Sequence, residues 1–336
     1  METSQAFRQD EKRILITGAA GFIGYHLSLR LLNSGMRVFG ADSVNSYYDP
    51  QLKRARLEQL SSFAGFAFLE GDLADAGFVE ALFLEARPDV VVHLAAQAGV
   101  RYSIENPRAY IESNITGFFN VLEAVRHHPV THFLYASSSS VYGNRDKVPF
   151  SVEDRVDKPV SLYAATKKSN ELFAYTYSHL YGVPATGLRF FTVYGPFGRP
   201  DMAYFSFTKA ILEGKPIKVF NNGDMLRDFT YVDDVTACLE RMLFCPPKPD
   251  ETGAPNAVYN IGNHNPVKLI DFIRAIETAL GKKATLNYLP MQAGDVEKTY
   301  ADIESTQRDF GFSPKTQIQE GIQHFVDWFL TYYKQN

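Results

Sequence analysis

The sequence predicts an α/β fold: a doubly wound parallel sheet with a smaller α/β unit interleaved around it. Three observations carry that prediction. Short apolar runs alternate with helical patterns through the first half of the 336 residues. The runs are continuously apolar rather than alternating, as in strands covered on both faces. A glycine-spaced turn joins the first run to the first helical pattern. The strand-like runs are 13–17 (RILIT), 37–41, 66–70, 90–94 and 133–136, short and bounded by Gly, Pro or Asp. Helical patterns at 22–33, 77–86 and 115–126 lie between them, the βαβ order of a parallel sheet.

The second half is less regular. Gly, Pro and Asp recur over 195–201 and 214–228, which predicts loops carrying a site. A late strand is expected at 258–261 and a helix at 269–280 ending on Gly281; 318–333 reads as a closing amphipathic helix. The Pro-rich stretch 246–255 reads as a surface loop, and no internal repeat or low-complexity linker divides the chain.

Composition narrows the function. Hydrophobic residues make up 45% and charged residues 21%, so the chain can bury a substantial core. The formal charge is −4, without a basic run, which argues against nucleic acid or an anionic membrane as partner. Two cysteines, Cys238 and Cys245, fit a reducing compartment better than a disulfide scaffold. The opening METSQAFRQDEK lacks an apolar core, and the longest apolar stretch, 90–100, is far short of the roughly 20 residues that span a bilayer. A soluble, cytoplasmic protein is expected.

Residues 14–17 run into Gly18-Ala19-Ala20-Gly21-Phe22-Ile23-Gly24 and then a helix. Missing Cβ atoms let the backbone approach a pyrophosphate, and the helix start offers free N–H groups and the positive end of its dipole. The placement between strand and helix is what lifts the glycine triplet above chance. Asp42 ends the second strand, where an acid accepts hydrogen bonds from the adenosine ribose. A carboxylate there repels a 2′-phosphate, and neighbouring Ser43 and Val44 bring no cation, so NAD is expected over NADP. Asp72, after the third strand, is open between a helix cap and an adenine contact.

Tyr163 and Lys167 stand four apart at the head of a helical pattern running to Tyr181, which puts phenol and ammonium on one face. A phenol titrates near 10, so it becomes a base at neutral pH only with cations nearby. Upstream, Ser137 to Ser140 follow a buried strand and place hydroxyls at the carboxyl end of the sheet, where ligands bind in this architecture. His93 lies within a strand and reads as a core histidine, and no metal is expected.

With these motifs in place, the sequence resembles the extended short-chain dehydrogenase/reductase superfamily, in its NAD-dependent sugar-nucleotide epimerase/dehydratase branch. Within that branch it is most similar to UDP-glucuronate 4-epimerases, through residues 94–103 (LAAQAGVRYS), 161–168 (SLYAATKK), 188–202 (LRFFTVYGPFGRPDM), 227–234 (RDFTYVDD) and 293–296 (AGDV). The resemblance implies a Rossmann-type NAD-binding domain over 1–190 plus about 230–265. A UDP-sugar-binding domain would occupy about 191–229 plus 266–336. It implies Tyr163 as base, Lys167 on the ribose and Ser138 as the bridging hydroxyl. The implied NAD contacts are Gly18, Gly21, Phe22, Ile23, Gly24, Asp42, Asp72, Leu73, Leu94, Ala95 and Ala96, together with Tyr163 and Lys167. The implied UDP-sugar contacts are Arg101, Ser138, Ser139, Thr192, Arg199, Arg227 and Asp295. A homodimer is also implied, through the apolar helices at 115–126 and 172–181.

Two departures bear on the substrate. Dehydratase relatives carry an Asp-Glu pair beside the bridging residue and decarboxylase relatives a Glu; here Ser139 and Ser140 follow Ser138. UDP-glucose epimerases typically have Asn where this chain has Thr192. The expected reaction is therefore conversion of UDP-glucuronate to UDP-galacturonate through a 4-keto sugar. Epimerisation of UDP-glucose or UDP-N-acetylglucosamine, dehydration, and a non-catalytic NAD-binding regulator are the alternatives. For Arg199, a loop ion pair with Asp201 stands level with a substrate contact on chemistry alone.

Overall fold

The computed structural model describes residues 12–291 and 296–335. The chain opens with β1 (Arg13–Thr17), α1 (Phe22–Asn33), β2 (Arg37–Asp42), α2 (Pro50–Ser61), β3 (Phe66–Glu70), α3 (Ala76–Ala86) and β4 (Val90–His93). Short helices α4 (Tyr102–Glu105) and α5 (Pro107–Tyr110) lead through a π-helical turn at Ile111–Thr116 into α6 (Gly117–His127). Then come β5 (His132–Ser138), α7 (Leu162–Tyr181) and β6 (Ala185–Phe190). These strands and a late one form a seven-stranded sheet in the order β10-β6-β5-β4-β1-β2-β3, parallel throughout; β10 is Asn256–Ile261. Successive residues of β1 point to opposite faces: Ile14 and Ile16 enter one apolar cluster and Leu15 the other. That two-sided burial is why the strands read as continuous apolar runs.

The strand order reverses between β1 and β4, so a crevice opens beyond their carboxyl ends. A second, smaller lobe closes over that crevice. The lobe contains β7 (Thr192–Tyr194), α8 (Ala203–Leu212), β8 (Ile217–Val219) and β9 (Leu226–Tyr231). After α9 (Val232–Met242), which packs on α1, and β10, the chain adds β11 (Pro266–Lys268), α10 (Leu269–Leu280) and β12 (Leu286–Tyr288). It closes with α11 (Glu304–Phe310) and α12 (Ile318–Gln335). Strands β11-β9-β7 form one small sheet and β12-β8 another, over an aromatic cluster that includes Tyr194, Tyr204, Phe205, Phe325 and Phe329. The stretch 214–228, expected as loop, thus holds β8 and the start of β9; strands of three residues are too short to show a period.

The lobes interleave at defined pins. Only Phe191 separates β6 of the large sheet from β7 of the small one, and its N–H donates to Ile261 O of β10 at 2.9 Å. The buried carboxylate of Asp228 accepts N–H groups from Asn263 (2.6 Å), His264 (3.1 Å) and Ala301 (2.9 Å). Burial pushes its pKa up, and these three donors offset the cost.

Candidate active site

A cleft of about 1000 Å³ runs from the glycine turn to the second lobe. Its floor is backbone. Gly18 has φ +75°, and a Cβ there would stand 2.7 Å from Ala95 N; a Cβ on Gly24 would stand 2.1 Å from Gly18 O. The turn after β1 and the end of β4 therefore touch main chain to main chain. Gly21 is the N-cap of α1, with no side chain capping the helix and no acid in its first turn. Residues 21–24 of this helix start line the cleft, and uncapped helix N–H groups suit a pyrophosphate. Asp42, at the end of β2, accepts from Ala20 N (3.2 Å) and Val44 N (2.8 Å). Burial pushes its carboxyl up, while the charge of Lys53 and these N–H bonds pull it down.

The reactive hydroxyls meet at the centre. Ser138 ends β5 and accepts from Ser140 N at 3.2 Å. Ser161 caps α7, its hydroxyl accepting from Ala164 N at 3.1 Å, and this fixes the first turn that carries Tyr163. Burial raises the pKa of Tyr163, whereas the neighbouring Ser138 hydroxyl and the charge of Arg199 lower it. Lys167, 1% exposed, is brought down to about 7 by burial, with Glu171 one turn further on pulling it up. Glu171 accepts from Ser137 Oγ (2.7 Å) and from Arg189 Nε (2.8 Å) and Nη2 (3.0 Å), tying α7 to β5 and β6 behind the reactive groups. In the π turn, Asn114 staples the loop after β4: it accepts from Gln97 N at 2.8 Å and donates to Gln97 O at 3.0 Å.

The far wall is made of side chains from the second lobe. Thr192 and Arg199 line the cleft, with Tyr163 near enough to feel the Arg199 charge. Burial works against the guanidinium, but Asp201 more than compensates and keeps it charged. Arg199 Nε lies 3.0 Å from Asp201 Oδ1, and Tyr47 OH donates to Asp201 Oδ2 at 3.2 Å, so the pair is also latched to the loop after β2. Arg101 sits 4.9 Å above the ring of Phe220. Arg227 donates to the carbonyls of Leu226 (2.9 Å), Glu297 (2.9 Å) and Val296 (2.6 Å).

The model of the GDP-mannose 4,6 dehydratase family matches residues 15–325. The chain belongs to that family, the sugar-nucleotide epimerase and dehydratase branch expected from its motifs. Among relatives, protein CapI of Staphylococcus aureus is 54% identical over 96% of this chain and 99% of its own length. UDP-glucuronate 4-epimerase 1 of Arabidopsis thaliana is 48% identical over 99% of this chain and 80% of its own. Among solved structures, UDP-glucuronic acid 4-epimerase from Bacillus cereus, in complex with UDP-glucuronic acid and NAD, superposes with a TM-score of 0.87. It is 35% identical, covering 95% of this chain and 99% of that one.

Set beside the family expectations, the structure gathers around one cleft Gly18, Gly21, Phe22, Ile23, Gly24, Asp42, Asp72, Leu73, Leu94, Ala95, Ala96, Arg101, Ser138, Ser139, Tyr163, Lys167, Thr192, Arg199 and Arg227. Asp295 lies outside the described residues. Asp72 is on the rim and exposed, its Oδ1 accepting from Ala74 N at 2.9 Å, so the turn claims one of its oxygens. For Arg199 the ion pair with Asp201 forms, and both residues line the cleft. Ser43 and Val44 bring no cation to Asp42, but the fold brings the charge of Lys53 of α2 near it, Nζ donating to Asn45 O (2.9 Å) and Oδ1 (2.8 Å). Sequence neighbours alone could not reveal this, because Lys53 lies eleven residues on and one helix turn inside α2. Tyr47, Glu171 and Asn114 were missed for the same reason: each acts through a contact distant in sequence. His93 is buried as expected, its Nδ1 2.9 Å from Thr17 Oγ1, and burial drops its pKa to about 3. Among the described residues no cluster of His, Cys, Asp or Glu suits a metal, and no helix is long and apolar enough to cross a membrane.

Proposed function

We propose that the chain is an NAD-dependent isomerase that inverts C4 of UDP-glucuronate to give UDP-galacturonate. The observation that carries this reading is the meeting of Ser138, Tyr163 and the charged Arg199 fork in one cleft. Close similarity to proteins named UDP-glucuronate 4-epimerase supports it. The glycine turn, Asp42 and Lys167 would hold NAD⁺, which would supply a hydride acceptor and donor for C4. Tyr163, as phenolate, takes the proton of the sugar 4-hydroxyl, and Ser138 hydrogen-bonds the same oxygen. The sugar then turns about its link to the diphosphate, and Tyr163 returns the proton once C4 has been rebuilt on its other face. No net oxidation results.

The 4-keto uronate is a β-keto acid and loses CO2 if its C6–C5 bond aligns with the ketone π system. Arg199, Thr192 and Ser139 hold the carboxylate out of that alignment, the planar fork of Arg199 suiting two carboxylate oxygens. Ser139 and Ser140 offer no carboxylate for the elimination step of a dehydratase. Arg101 assists at the carboxylate, Arg227 serves the diphosphate, and Asp295 the uridine ribose.

In this reading the seven-stranded unit is the NAD domain and the lobe of β7, β8, β9, β11 and β12 the UDP-sugar domain. The protein works in the cytoplasm as a homodimer. Exposed Phe119 on α6 and Leu172, Tyr175, Leu180 and Tyr181 on α7 support a shared apolar face. The test is incubation with UDP-glucuronate and NAD⁺, followed by chromatography of the nucleotide sugars. UDP-galacturonate is expected. Turnover of UDP-glucose with none of UDP-glucuronate would overturn the substrate assignment.

A further inference from the structure

Arg56, on α2, is fully buried, yet its hydrogen bonds go to two main-chain carbonyls and a phenol rather than to a carboxylate. Nη1 donates to Ala20 O at 2.7 Å and to Tyr48 OH at 2.8 Å. Nη2 donates to Phe197 O at 2.6 Å. Burying a guanidinium is costly, and its rigid fork holds two acceptors on separate loops at a fixed spacing.

Those loops are the two halves of the site. Ala20 lies inside the glycine turn, its own N–H on Asp42. Phe197 lies two residues before Arg199 and holds φ +54°, a region a phenylalanine occupies only when its surroundings impose it. The imposition is visible. Its carbonyl is gripped by Arg56, and the preceding carbonyl, Pro196 O, lies 2.8 Å from His26 Nε2 on α1, the helix that starts at the glycine turn. The ring of Phe197 packs on Tyr25 of that helix, at 5.1 Å between centroids. The loop that aims Arg199 therefore takes its shape from the elements that would hold a pyrophosphate.

We propose that Arg56 is a positioning residue that couples the dinucleotide cradle to the Arg199 loop, so that NAD and the uronate group each strengthen the binding of the other. This rests on the reading of Arg199 as the carboxylate clamp. A pyrophosphate drawing on the N–H groups of the glycine turn fixes Ala20, Ala20 fixes Arg56, and Arg56 fixes the carbonyl that sets the aim of Arg199. Reciprocity is required, because a coupling free energy acts equally on both ligands.

The test is the rate at which NAD leaves the protein, measured in a Tyr163→Phe background so that no chemistry runs. Release is compared under saturating UDP and saturating UDP-glucuronate, which differ by the sugar acid. With Arg56 intact, UDP-glucuronate should slow release about tenfold more than UDP does. In Arg56→Gln that ratio should fall towards one. Arg56→Lys, which keeps the charge but reaches one carbonyl, should lose most of it too. A melting temperature lowered in both variants with the ratio unchanged would make Arg56 merely structural and overturn the proposal. Arg199→Gln separates the layers. If it abolishes the ratio while both Arg56 variants keep it, the clamp stands and the coupling fails; if Arg199→Gln keeps the ratio, the clamp itself is wrong.

Discussion

The cradle around Gly18–Gly24 and the wall around Arg199 face each other across one cleft and are built in opposite ways. The cradle is main chain against main chain. A helix start without a capping side chain lies beside a strand end, and two glycines leave the space that makes the contact possible. The wall is side chain against side chain: a charged fork, a carboxylate that holds it, and a tyrosine from the other lobe that holds the carboxylate. Backbone offers fixed geometry and little chemical choice, which suits a cofactor that stays. A wall of loops can be retuned by a single substitution, which suits the choice of sugar.

That contrast can be broken most severely at the cradle. Gly24→Val puts a Cβ 2.1 Å from a main-chain oxygen that cannot move aside. The variant should lose bound NAD and most of its folded yield, read by absorbance of released nucleotide and by gel filtration. A folded, NAD-loaded variant would show that the contact is slack. At the centre, Tyr163→Phe should keep NAD and UDP binding while turnover falls roughly 10³-fold, within the usual range for a positioned acid–base group. At the wall, Arg199→Gln removes the fork and leaves the Asp201 carboxylate without its cation. KM for UDP-glucuronate should rise at least about tenfold, and a UDP-pentose should appear in the chromatogram. Clean epimerisation at unchanged KM would remove Arg199 from the clamp.

The smallest effect concerns stability. Lys167 in the folded, cofactor-free protein sits near 7, below its ordinary 10.5, because burial disfavours its charge. Between those values the unfolded chain binds more protons than the folded one, so stability rises with pH across that window, and the penalty is complete below pH 7. Lys167→Met should therefore raise the cofactor-free melting temperature at pH 7 by several degrees, with the gap closing towards pH 10. A gap independent of pH would mean that packing, not charge, is responsible.

The same contrast explains what is legible in the amino-acid sequence. Segments β1, α1 and β3 fall where their patterns put them, because apolar continuity and glycine spacing are local signals. Tyr163 and Lys167 stand out by an i, i+4 spacing. By contrast α2 hides. Its cap, Asp49-Pro50, is a good start signal, but Lys53 and Arg56 occupy its buried face and break the apolar stripe that marks a helix. The wall hides further, since Tyr47 and Asp201 are 154 positions apart and meet only because the lobes interleave. Phe197 at positive φ carries no sequence signal at all, glycine being the usual marker of that conformation.

Epimerisation of a uronate with retention of its carboxylate is tested most directly with UDP-glucuronate carrying ¹⁴C at C6, incubated with the NAD-loaded protein, label being counted in UDP-galacturonate and in released CO2. Label is expected in UDP-galacturonate, with none above background in CO2. Label in CO2, or none in UDP-galacturonate while the protein is folded and NAD-loaded, would contradict it.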